Sequence, residues 1–137
     1  MTDNERPGLV PGVKAAIRRV VTEADCASAI GSGAVPVLST PHLIAWMELA
    51  AMEAAAPHLR PGETTVGTRV EVVHLEACPP GTEVEAEAVL REMEGRRLRF
   101  DVAVTAGGTL LGRGCHERVI VDRERFLARL AGRWERP

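Results

Sequence analysis

Aromatic side chains are almost absent. The 137 residues include no Tyr, two Phe and two Trp, 3% in all. A core must therefore come from Val, Leu, Ile and Ala, and few rings are available on which nucleobases stack. An excess of positive charge is also lacking. Seventeen Lys and Arg face nineteen Asp and Glu, for a formal net charge of −2. The densest basic groups (Arg96, Arg97 and Arg99; Arg123 and Arg125) alternate with acidic residues. A nucleic-acid partner, which needs a basic stripe, is not expected. No CxxC occurs, and the three cysteines (Cys26, Cys78 and Cys115) are odd in number and widely spaced. That argues against a disulfide framework or zinc knuckle and for reduced thiols in a reducing cytosol. No apolar run reaches membrane-spanning length. Met1 to Gly8 is polar, with Asp3, Glu5 and Pro7 where a signal peptide would be apolar. The expected location is the cytoplasm, away from membranes.

What remains is ordinary for a globular protein: 45% hydrophobic and 26% charged residues, enough for one domain spanning residues 1–137. Val13 to Asp25 reads as a first strand, and Cys26 to Ser39 as a small, glycine-containing loop with at most a turn of helix. Thr40-Pro41 is a helix start, with Thr40 as the capping residue and Pro at the first helical position. Pro41 to Ala56 then carries Leu43, Ile44, Met47, Ala50, Ala51 and Ala54 at helical spacing, a broad apolar face. After Gly62 the period changes to two. Thr65–Cys78, Thr82–Met93, Arg96–Ala106 and Thr109–Val121 read as strands, separated by Pro79-Pro80-Gly81, Glu94-Gly95 and Gly107-Gly108. Asp122 caps a short C-terminal helix, Arg123 to Leu130, with Phe126, Leu127 and Leu130 facing inward. A strand, a long helix and four consecutive antiparallel strands make an α+β, hot-dog arrangement, the sheet wrapped around the helix. One helix covers one side of such a sheet, so the uncovered face and edges predict a homodimer, from which a tetramer can be built.

Some polar residues interrupt this pattern. Thr40, Ile44, Glu48, Ala51 and Ala55 form one stripe, so Glu48 borders the apolar face. It is either buried and paired, or at the edge and reaching water. By strict alternation Val66, Val70, Val72 and His74 share one strand face, and Gly67, Arg69, Glu71 and Val73 the other. His74 is then a rim histidine or, with Glu48, half of an acid–base pair. Eight residues of helix, roughly 12 Å of rise, separate Thr40 from Glu48. If both touch one substrate, the helix start bends or the site combines two subunits.

The stretch from LSTPHLIAWMELAAMEAAAPHLRPG through TTVGTRVEVVHLEACPPGTEV, continued by EGRRLRF and GRGCHERVIV, resembles the fluoroacetyl-CoA thioesterase family and its hot-dog relatives. The similarity runs from about Val37 to Phe126. The resemblance implies an acyl-CoA thioesterase that releases a free acid and CoA. It assigns Thr40, Glu48 and His74 as catalytic groups, the backbone N–H of Gly67 near the thioester carbonyl, and Arg118 near the CoA moiety. Read without the resemblance, Gly67 is a bulge or a close approach and Arg118 a solvated strand-end charge. No cofactor is implied, because CoA is part of the substrate. No metal is expected either, since His42, His58, His74 and His116 lack paired ligand spacing. In such a mechanism Thr40 or Glu48 is the nucleophile or orients a water, and His74 moves the proton. The family's lid carries aromatic side chains before the catalytic Thr. Here the corresponding ADCASAIGSGAVPVL has none, so a looser acyl preference than fluoroacetyl is expected. Two alternatives share the fold: a noncatalytic acyl-CoA or acyl-carrier binding module, and an enoyl-CoA hydratase. Hydratases of this fold carry a His and an Asp or Asn on the helix, where this chain has His42 and Glu48.

Overall fold

A computed structural model describes residues 6–135. The polar N-terminal stretch Met1–Gly8 thus lies largely outside the described residues. Strand β1 (Lys14–Val20) leads through a 3-10 turn and a one-turn helix α1 (Ala27–Ile30) to the long helix α2 (Thr40–Ala55). Strands β2 (Glu63–His74), β3 (Glu83–Glu94), β4 (Arg97–Ala106) and β5 (Thr109–Asp122) follow, then helix α3 (Arg123–Trp134). The five strands form one antiparallel sheet in the order β1-β3-β4-β5-β2. This is the expected hot-dog architecture. The first strand is shorter than its apolar pattern, because Asp25 turns back to accept from the Thr22 N–H (2.9 Å) and hydroxyl (3.0 Å).

The core follows the two periodicities. Helix α2 buries Leu43, Trp46, Met47, Ala50, Ala51, Ala54 and Ala55. Facing them, Val84, Ala86, Ala88 and Leu90 of β3 and Leu98, Phe100, Val102 and Val104 of β4 are all buried. Small residues let helix and sheet approach closely. At Gly112 of β5, a β-carbon would lie 3.0 Å from the Leu43 side chain. Truncating a buried Leu such as Leu43 to Ala typically costs about 2–5 kcal/mol, so this face alone decides whether the helix docks.

Two expectations are corrected here. Strict alternation fails in β2, where the register slips between Gly67 and Arg69. Thr68 is the extra residue of a β-bulge, and its hydroxyl donates to the Glu117 carbonyl (3.2 Å). Gly67 pairs with Arg118, and His74 with Gly112, in a β5 stretch with no further slip. Gly67 and His74 therefore share a face instead of opposing one another. The second correction concerns α3. It is capped by Asp122 as expected, the carboxylate accepting from the Arg125 N–H (3.0 Å). Yet none of its residues is buried, and Leu127 and Leu130 are exposed. The helix leaves the end of β5 and packs mainly there, so its apolar stripe never reaches the α2 core.

Strand β2 is an edge: among the described residues it pairs only with β5. Val70, Val73 and Leu75 along it are exposed. At its start, Arg6 is buried and its guanidinium grips Glu63 through Nε (2.9 Å) and Nη2 (2.5 Å).

Candidate active site

Helix α2 is not capped by Thr40. The cap is Ser39, whose Oγ accepts from the His42 N–H (3.1 Å), and Thr40 is the first helical residue. Both residues are good caps by type, and sequence pattern does not separate neighbours at a helix end. The shift leaves the Thr40 hydroxyl available. It lies 2.8 Å from Nδ1 of His74, the last residue of β2. The other imidazole nitrogen, Nε2, is buried with no hydrogen-bond partner among the described residues. Both residues line a cleft of about 330 Å³, together with Ala27, Val37 and Leu38 of the lid and Ala77 beyond β2.

Two turns along α2, Glu48 is half-buried and lines a second cleft of about 310 Å³ with Gly67, Thr68, Arg69, Val70 and His116. The floor of this cleft is polar and ordered. His116 is buried, its Nδ1 2.8 Å from the Arg69 carbonyl and its Nε2 3.1 Å from Arg118 Nη1. A carbonyl only accepts and a guanidinium only donates, so His116 carries its proton on Nδ1. Arg118 is also buried, not solvated. Its Nε and Nη2 donate to Thr65 Oγ1 (2.8 Å) and Thr65 O (3.0 Å). Burial lowers the proton affinity of both His116 and Arg118, and the nearby Glu48 carboxylate opposes that shift in each. Gly67 makes room for this pair: a β-carbon there would sit 3.2 Å from His116 Cε1 and 3.4 Å from Arg118 Nη1.

One chain thus brings together Thr40 with His74, and Glu48 with Gly67 and Arg118. It does not bring Glu48 and His74 into one cleft. His116 was missed by sequence reading. The signal was present, because His116 and Arg118 alternate with the buried Ile120 on one face of β5.

The fluoroacetyl-CoA-specific thioesterase family model matches residues 21–124. The chain belongs to this family. Over 94 residues it is 42% identical to the fluoroacetyl-CoA thioesterase of Streptantibioticus cattleyicolor, which covers 69% of this chain and 68% of that relative. A solved structure of the fluoroacetyl-CoA thioesterase FlK superposes with a TM-score of 0.85 at 34% identity, covering 95% of this chain and 99% of that one. A thioesterase superfamily member from Thermus thermophilus superposes at 0.84 with 33% identity, covering 94% and 98%. Thr40, Glu48, Gly67, His74 and Arg118 all fall within the span matched by the family model. No helix among the described residues is long and apolar enough to cross a membrane.

Proposed function

We propose that this chain hydrolyses the thioester of small acyl-CoA molecules, releasing the free acid and CoA, and does so as a homodimer. The observation that carries the reading is the 2.8 Å contact between Thr40 Oγ1 and His74 Nδ1 beside an open cleft. With Nδ1 accepting the hydroxyl proton, His74 is the general base. The attacking oxygen is that of Thr40, or of a water held by Thr40 and Glu48. Attack on the thioester carbon places negative charge on the carbonyl oxygen. The positive end of α2 and the Gly67 N–H are the groups offered to it. The thiolate of CoA then leaves, taking the proton from His74; where Thr40 is the nucleophile, a water deprotonated by His74 next hydrolyses the acyl-Thr40 ester, releasing the acid and restoring the hydroxyl. A thioester is already an activated acyl group, so this route needs no metal or cofactor.

The dimer is part of the chemistry. Thr40 and Glu48 are separated by roughly 12 Å of helix rise. A two-fold axis along the unpaired edge of β2 sets one copy's Thr40 and His74 against the other's Glu48, Gly67 and Arg118. The exposed Val70, Val73 and Leu75 on that edge support such pairing. The buried, unpartnered His74 Nε2 supports it too, because an imidazole N–H without an acceptor is costly and a partner carboxylate satisfies it. Arg118, buried behind His116 of the Glu48 cleft, supplies a fixed positive charge toward the anionic CoA moiety. The lid side of the Thr40 cleft offers only small and aliphatic side chains, so acyl groups larger than fluoroacetyl fit as well. The three free cysteines suit a reducing compartment, and the cytoplasm is the one proposed.

A thiol-release assay with acetyl-, fluoroacetyl-, propionyl- and butyryl-CoA tests this. The expected outcome is turnover of several members with no strong fluoroacetyl preference. Binding of all four without release of CoA would leave a binding module instead.

A further inference from the structure

Between β1 and α2 the chain runs as a lid, closed on itself by a bridge between Cys26 and Leu38 and fastened to the sheet side by the Leu38 N–H to the Cys78 carbonyl (2.9 Å). A line of polar groups joins this lid to α2. Ser39 Oγ, already accepting from the His42 N–H, lies 3.0 Å from His42 Nδ1. His42 Nε2 lies 3.4 Å from Asp25 Oδ1. The Asp25 carbonyl accepts from the Ser39 N–H (3.0 Å), and its Oδ2 accepts from Thr22. Trp46, one turn on, sets its ring against the imidazole with centroids 6.1 Å apart at 72°. With the ring proton on Nε2, Nδ1 accepts the Ser39 hydroxyl, and Nε2 faces the Asp25 carboxylate as an electrostatic contact, not a hydrogen bond.

Capping α2 requires only the backbone N–H of residue 42 and the Ser39 hydroxyl, so any side chain at 42 would preserve the cap. The imidazole adds something else. A Ser–His–Asp line has the parts of a nucleophile, but Ser39 is 1% exposed and its oxygen is held at the helix end. We propose that His42 is a positioning residue: through Asp25 and Ser39 it ties the lid to the first turn of α2, and so holds the adjacent Thr40 against His74. The part concerning Thr40 rests on the hydrolase reading given above. The tie itself does not.

The test uses the full chain with Cys115→Ser, because Cys115 is half-exposed while Cys26 and Cys78, one within the lid and one beneath it, are buried. Labelling of these two thiols reports lid opening. His42→Ala is expected to label about tenfold faster, the size of effect expected for losing the Ser39 hydrogen bond together with the Asp25 contact. Its kcat is expected to fall by about the same factor, with KM within about twofold. Asp25→Ala, which also removes the acceptor for Thr22, should label at least as fast, and the double variant should be no worse than Asp25→Ala alone. Asp25→Asn, which keeps the acceptor for Thr22 and an oxygen facing Nε2, should stay within about twofold of the starting protein and guards against misfolding as the explanation. Unchanged labelling in His42→Ala overturns the tie, as do independent, additive effects of the two alanine variants. Faster labelling with unchanged kcat overturns the positioning of Thr40. If the starting protein turns over no acyl-CoA, the hydrolase reading fails, and the labelling series still decides the tie.

Discussion

Thr40 Oγ1 lies 2.8 Å from His74 Nδ1 although the two are 34 residues apart, one opening a helix and the other closing an edge strand. Because Ser39 caps the helix, the Thr40 hydroxyl has no structural duty there. Thr40→Val, which keeps the shape and removes the hydroxyl, is expected to lower kcat/KM by about 100- to 10,000-fold, the usual value of a positioned proton-transfer partner. Its thermal midpoint should stay near that of the unmodified chain. Thr40→Ser should retain activity. A large drop in melting temperature for Thr40→Val would show instead that the hydroxyl serves the fold.

Complementation tests whether the site is shared between copies. In a composite site, Glu48→Gln and His74→Ala chains are each inactive as homodimers. A mixed dimer contains one site with His74 from the first chain and Glu48 from the second, both intact. Random mixing makes half the dimers mixed, each with one working site of two. About one quarter of the unmodified activity should therefore return. No recovery on mixing would place both groups in the same subunit's site.

The helix and the four-strand run were legible because a single period holds over most of each element, and burial of Phe100, Val102 and Val104 follows the alternation in β4. The site was legible only as residue types. A single inserted residue, Thr68, reverses which face every earlier β2 side chain occupies; Gly67, read as a bulge or a close approach, marks the place but does not say which it is. The cap was misplaced by one residue because Ser39 and Thr40 have the same chemistry. The inward face expected for α3 failed for a different reason. An amphipathic pattern shows that a face exists, not what the chain's geometry offers to cover it, and α3 departs from the sheet before reaching the core.

Gly114 of β5 is paired with Val72 of β2 at a point with no room for a side chain. A β-carbon there would overlap the Glu71 carbonyl and lie 2.7 Å from Val72 Cα, both backbone atoms of β2 that cannot rotate away. Gly114→Ala is expected to cost about 1–3 kcal/mol or more, read as a lower urea midpoint. Because β2 carries both Gly67 and His74, activity should fall further than that of Gly132→Ala in α3, where the backbone is not left-handed and no atom lies within 4 Å of the added carbon. Equal activity of the two variants would mean that the β2–β5 approach does not set the site.

The pH dependence of stability separates two buried networks. His116 is held neutral: burial lowers its proton affinity, and Arg118 directs a guanidinium at its Nε2. A folded value below the unfolded one means that the unfolded chain binds the extra proton first. The stability contributed by neutral His116 is thus fully present above the ordinary imidazole value of about 6.5 and is lost as pH falls through the lowered one. Glu63 behaves in the same sense at lower pH. The Arg6 guanidinium holds its carboxyl below the usual range, so its contribution persists above about 4.3 and is lost below that. Urea midpoints measured from pH 8 to pH 3 should therefore decline in two stages. His116→Gln, which cannot titrate, should flatten the upper stage and spare the lower. Arg6→Met should do the reverse. An upper stage that survives His116→Gln would assign it to another group and would mean that Arg118 does not depend on a neutral imidazole.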